Sequence, residues 1–237
     1  MDPQAQPHLQ QQQPPPQPQP PQDPPEFILD VFADPRSVRD VVKGILHTIF
    51  FTRFFPSLAP RTREVLDLTL PYVDDDELET MIDQRAAALE RQLDAQRNSN
   101  THSHNHNHNH NHNHSSGSTS GSAGTTGGGG GRGQVTVQFF EKKRRKAWLS
   151  RGDEEVCWEC WTVKVTVAEP RTESERAKVR RAMEQTLFTT AMKIVTFANS
   201  HKDHIPPITS QGGNPFPFKI TVDQQKETGW AARMRIY

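Results

Sequence analysis

Residues 98–133 are dominated by Asn, His, Ser, Thr and Gly and contain no large apolar residue. A stretch of this kind cannot bury enough area to offset its ordering entropy, so any core must be built from the flanks. Residues 1–25 are excluded for the same reason. They hold 10 of the 19 prolines and nine glutamines. Proline denies the backbone its donors, and the segment reads as a disordered, polyproline-II-rich tail. What remains is Glu26–Arg97 and Gln134–Tyr237. The expected organisation is a tail over 1–25 and one domain over 26–237, interrupted by a low-complexity insert at 98–133. The overall hydrophobic content of 32% follows from these two segments.

Charge balances at 28 basic and 28 acidic residues. Glu26–Arg97 carries a net charge of −5 and Gln134–Tyr237 one of +6, so the two halves attract each other. A nucleic-acid binder would show a basic excess overall, and no nucleic-acid partner is expected. No apolar run reaches the ~18 residues of a spanning helix, so no stable membrane insertion is expected. Neither a secretory signal pattern nor a disulfide framework is visible, which fits a reducing, cytoplasmic setting.

Periodicity places a strand at Glu26–Asp34, where Phe27, Leu29 and Val31 alternate with their neighbours. Asp34-Pro35 reads as a helix start. The helix carries Val38, Val41, Val42, Ile45, Leu46 and Ile49 on one face and stops before Pro56. Arg63–Val73 alternates as a second strand. Asp74–Glu77 caps a second helix with Leu78, Met81, Ile82, Ala86, Leu89 and Leu93 inward, fading near Arg97. Strands follow at Gln134–Phe140 and Val156–Pro170. A long helix from Glu173 to His204 points Val179, Met183, Leu187, Ala191, Ile194, Val195 and Ala198 inward. Strands at Phe218–Val222 and Trp230–Tyr237 close the chain as a hairpin. The order is β-α-β-α, insert, β-β-α-β-β, which fits α+β better than a doubly wound sheet.

Cys157 and Cys160 form a CxxC, but strand alternation sends residues three apart to opposite faces, and no second pair completes a zinc site. The seven histidines between His102 and His114 alternate with Asn and Ser and read as a tolerated surface expansion; no metal or other cofactor is assigned. Lys142–Lys146 reads as a solvated connection, screened by Asp153–Glu155. Trp148 and Leu149 lie in that polar connection, either as an exposed anchor or folded back on the domain. Phe50, Phe51, Phe54 and Phe55 are too many for one helix face to bury. P-loop, GxSxG, HExxH and dinucleotide-turn motifs are all missing, so no catalytic residues are assigned and an enzyme is not expected.

Three motifs carry a resemblance: "GILHTIFFTR" at Gly44–Arg53, "VLDLTLPYVDDDELE" at Val65–Glu79, and "WECWTVKV" at Trp158–Val165 behind "QFFEKKRRKAW". In this order they are similar to the autophagy-related protein 101 family. The resemblance implies a HORMA domain, with helices packed on one side of a mostly antiparallel sheet. It implies a non-enzymatic adaptor that binds and stabilises the HORMA domain of autophagy-related protein 13. That pairing belongs to the autophagy-initiating kinase complex, in the cytoplasm and at the preautophagosomal structure. By motif position, Phe50, Phe51, Thr52, Arg53 and Phe54 correspond to part of the HORMA–HORMA contact. Trp148 falls on the tryptophan of a finger that recruits downstream factors, with Leu149 beside it where the family often has proline. The alternative is a HORMA adaptor of checkpoint or repair type that traps a linear peptide.

Overall fold

A computed structural model describes residues 23–55, 59–103, 131–144, 153–208 and 213–223. Its elements are β1 (Glu26–Ala33), α1 (Val38–Arg53), β2 (Arg61–Val65), β3 (Leu68–Tyr72), α2 (Asp76–Ser103), β4 (Arg132–Arg144), β5 (Asp153–Val167), α3 (Glu173–Ser200) and β6 (Phe218–Asp223). The main sheet runs β1-β5-β4-β6, with β2 and β3 as a separate pair. β1 is parallel to β5, whereas β4 pairs antiparallel with both β5 and β6. The fold is α+β, as the order of elements predicts, and its main sheet is mixed.

One face of the sheet is the core. Phe27, Leu29 and Val31 of β1, Trp161, Val163 and Val165 of β5, and Val135, Val137 and Phe139 of β4 are all buried. The alternation visible in the sequence is therefore the alternation of burial. α3 packs on β1, α2 on β4 and β6, and α1 between the other two helices and the β2–β3 pair. The six α1 residues that periodicity assigns to one face are each at most 1% exposed.

Asp34 opens the turn before α1 rather than the helix itself. Its Oδ1 accepts from the backbone N–H of Arg36 and Ser37, at 3.0 and 2.8 Å, and α1 starts at Val38. Asp75 caps α2 by accepting from Leu78 N at 2.8 Å. α2 continues to Ser103 and β4 begins at Arg132, so regular structure enters both ends of the low-complexity stretch.

α3 starts with a capping box, in which Thr172 Oγ1 accepts from Glu175 N while the Glu175 carboxylate accepts from Thr172 N. Each partner satisfies an otherwise orphaned donor. Thr172→Ala is expected to lower stability by about 1 kcal/mol, measured as a shift of the urea midpoint at constant slope.

Three expectations need correction. Arg63–Val73 is not one strand but most of a hairpin, turned at Leu66-Asp67. Leu66 holds a positive φ of 53°, which a leucine rarely adopts and which no Gly or Asn announces. Val195 does not point inward. It is 40% exposed, and Thr190 takes the buried place, donating from Oγ1 to the Asp30 carbonyl at 3.3 Å. Finally, the two cysteines share a face. Phe139 opposes Glu159 but Phe140 opposes Cys157, so Trp158 is an extra residue in β5. This bulge inverts the alternation below it, and puts Cys157 on the side of Cys160, which opposes Gln138. The strand expected at Trp230–Tyr237 lies outside the described residues.

Candidate partner surface and its buried support

α1 delivers its phenylalanines to different environments. Phe50 is fully buried and meets Phe139 and Phe218 edge-on, at centroid distances of 5.4 and 4.7 Å. Phe54 and Phe55 pack partly against the core, Phe55 edge-on to Phe216. Phe51 alone among the four is left 43% exposed. Thr52 is half-buried and returns its hydroxyl to the Ile49 carbonyl at 2.8 Å. The expected contact set therefore divides: Phe51 faces solvent, while Phe50 and Arg53 lie inside the monomer.

Arg53 is 2% exposed and Glu159 is fully buried. The Arg53 Nε–H donates to both carboxylate oxygens of Glu159, at 2.8 and 2.9 Å. Trp161 Nε1 donates to the same carboxylate, and His204 Nε2 lies 2.7 Å from its Oε2. The remaining guanidinium nitrogens reach the carbonyls of Thr52, Ala198 and His201. α3 has no basic residue in its own last turn. Arg53 thus brings a cation from α1 to the negative end of α3, which complements that helix's dipole. The bulge at Trp158 belongs to the same assembly, because Trp158 and Glu159 both turn inward beside Phe139. Alternation along β5 puts Glu159 on the face of Trp161, but it does not name the partners of the carboxylate.

A second exposed apolar line lies on α3. Phe188, Met192 and Val195 are 51%, 50% and 40% exposed. Their spacing of four and three residues aligns them on one face. The line runs beside the buried set Met183, Leu187, Thr190, Ile194 and Ala198. The inward assignment of Val195 conceals this line in the sequence.

Lys142, Lys143 and Arg144 stand directly opposite Glu155, Glu154 and Asp153 across the β4–β5 ladder. Opposite charges at paired positions support strand pairing, and Lys143 is engaged by Glu141 on its own strand at 3.0 Å. Both cysteines are free thiols, and burial pushes the Cys157 thiol up, which disfavours its reactive thiolate. Among the described residues no group of three or more His, Cys, Asp or Glu is placed to hold a metal ion. Trp148 and Leu149, and all of the His tract beyond His102, lie outside the described residues. No described helix is long and apolar enough to cross a membrane.

The class this defines is an α+β domain with two exposed apolar surfaces and a buried ionic support. A model of the family described as autophagy-related protein 101 matches residues 30–212. The chain belongs to that family. Autophagy-related protein 101 of Arabidopsis thaliana is 22% identical over 218 residues, covering 83% of this chain and 86% of the relative. The protein of that name from Schizosaccharomyces pombe is 23% identical over 198 residues, covering 83% and 85%. The human one is 35% identical over 78 residues, covering 33% and 34%. The chain therefore has an autophagy-related role, and these relatives carry no enzyme name.

Proposed function

We propose that this protein is a non-enzymatic adaptor whose HORMA domain pairs with that of autophagy-related protein 13. The pairing stabilises the partner and places both in the autophagy-initiating kinase complex, in the cytoplasm and at the preautophagosomal structure. The observation that carries this reading is the exposed apolar surface: Phe51 on α1 and Phe188, Met192 and Val195 on α3. Large side chains presented this way are typical of contact with another protein. Within the contact set, Phe51, Thr52 and Phe54 provide the surface, and Phe50 and Arg53 hold the end of α1 in place. A ligand that binds only the folded partner raises the partner's stability by mass action. Trp148 and Leu149 remain the proposed finger for downstream factors.

The test is co-purification with the HORMA domain of autophagy-related protein 13 from the same source, with stoichiometry read by light scattering. Phe51→Asp and Met192→Asp each bury a charge in the contact and are expected to weaken the complex by at least about tenfold. Trp148→Ala is expected to leave it intact. Absence of a complex between two folded proteins at micromolar concentration would reject the pairing and favour the peptide-trapping alternative.

A further inference from the structure

The extra residue in β5 has a further effect, on the two thiols of the strand. Plain alternation would send Cys157 and Cys160 to opposite faces. With Trp158 inserted, Cys157 stands opposite Phe140 and Cys160 opposite Gln138, and both side chains leave the outer face of the sheet. Phe140 and Gln138 are two positions apart on β4, which sets the two cysteine Cα atoms about 7 Å apart. The Cys157 thiol donates to the Glu159 carbonyl at 3.5 Å, and that carbonyl belongs to the peptide linking Glu159 to Cys160. Its sulfur therefore leans along the strand toward Cys160. Both residues are half-buried free thiols, within reach of a small ion.

The donor set decides what such a pair can hold. A disulfide needs Cα atoms about 4.4–6.8 Å apart, so a direct S–S bond sits at the limit, whereas an ion between the sulfurs lengthens the bridge. Zinc takes four ligands, and among the described residues no third His, Cys, Asp or Glu completes a group with this pair. Glu26, across the ladder from Cys160 on β1, is already engaged by the Thr162 hydroxyl at 2.7 Å. Two sulfurs alone suit a soft ion that accepts linear coordination. Thiolates select Cu(I) by softness, and Cu(I) is stable with two ligands in line.

We propose that Cys157 and Cys160 form a two-coordinate site for Cu(I), held as a bis-thiolate on the outer face of the sheet. Each thiol loses its proton on binding and no electron is transferred: one Cu(I) enters and two protons leave. The site uses neither Phe51 nor the exposed line on α3, so it does not depend on the pairing proposed above.

The test is an anaerobic titration of the full, reduced chain with the coloured Cu(I)–bicinchoninate complex. Loss of colour counts the ions withdrawn, and X-ray absorption at the copper edge identifies their ligands. The histidines between His102 and His114 are present in every variant, so any copper held by nitrogen cancels in the comparison. The wild-type chain is expected to withdraw one Cu(I) more than a double Cys157→Ser, Cys160→Ser variant, with two sulfur ligands. Cys157→Ser and Cys160→Ser alone are each expected to hold that ion at least about a hundredfold more weakly. Zn(II) uptake is expected to be the same in all four proteins. Equal copper withdrawal by the wild type and the double variant, or a single variant that matches the wild type, would overturn the proposal. So would copper bound only to nitrogen in the wild-type chain, a reading that needs no variant to fold. Zn(II) uptake that fell with the cysteines would overturn it too, because it requires further ligands.

Discussion

Replacing Glu159 with alanine is expected to lower the free energy of unfolding by about 3–5 kcal/mol. The carboxylate is fully buried and is the counter-ion of a guanidinium that is itself 2% exposed. Removing it leaves Arg53 charged, dry and held only by carbonyls at the ends of α1 and α3. Trp161 Nε1 and His204 also lose their shared acceptor. Arg53→Ala is expected to cost a similar amount, because it strands Glu159 and strips the cation from the end of α3. The double variant should cost less than the sum, since the second change removes a charge the first left unpaired. Urea unfolding of the four proteins measures this. A loss below about 1 kcal/mol in Glu159→Ala would mean that water reaches the site and the pair is not truly buried.

The second large effect is a dependence on acid. His47 on α1 packs against Tyr72 with the rings tilted and their centroids 4.4 Å apart, is 2% exposed, and has no hydrogen-bond partner at either ring nitrogen. Burial, with Arg63 nearby, lowers its pKa from 6.5 to about 4. The unfolded chain accepts a proton near pH 6.5, whereas the folded chain refuses it until about pH 4. Stability is therefore full above the unfolded value and declines as pH falls between the two. The loss is about 3 kcal/mol by pH 4 and does not grow further from this residue. Glu79 and Asp83 are held below the usual carboxylate range by their partners, Tyr72 and Arg63 for the first and Arg39 and Lys43 for the second. Their contribution is lost in the same direction, but only below the ordinary carboxylate pKa. His47→Leu should flatten the profile between pH 6.5 and 4.5 with little loss at pH 7. Were the variant to retain the full slope there, His47 would not be its source.

How much of this was legible depended on what each residue answers to. The apolar stripe of α1 was readable because it obeys a single period, whereas the burial of His47, Thr48 and Arg53 beside it has no sign in that pattern. The hairpin was not readable, because its turn is made by Leu66 and Asp67, with the strain at Leu66 tolerated by tertiary packing rather than signalled by glycine. Thr190 outranks Val195 inside because its hydroxyl finds the Asp30 carbonyl, a partner 160 residues away. Glu159 falls on the face of Trp161 by simple alternation. Its role still depends on Arg53, at a separation of 106 residues, and on His204, at 45. The shift at Trp158 has no local sequence signal, so the cysteines were placed on opposite faces. Long-range pairing decides each of these cases, and one-dimensional patterns do not carry it.

The parallel ladder of β1 on β5 has a consequence for how the protein is made. Glu26 is registered with Cys160, so the first strand finds its neighbour only after most of the chain has been synthesised. At typical elongation rates that wait is on the order of ten seconds. Through it, β1 and α1 hold Phe27, Leu29, Val31 and the whole apolar face of α1 without their sheet. The polar stretch between α2 and β4 adds little to the entropy of the final closure, which grows only logarithmically with length. It lengthens the wait in direct proportion to its residue count. Expansion of that stretch is therefore nearly free for the finished domain and costly for the nascent one, which depends longer on chaperones.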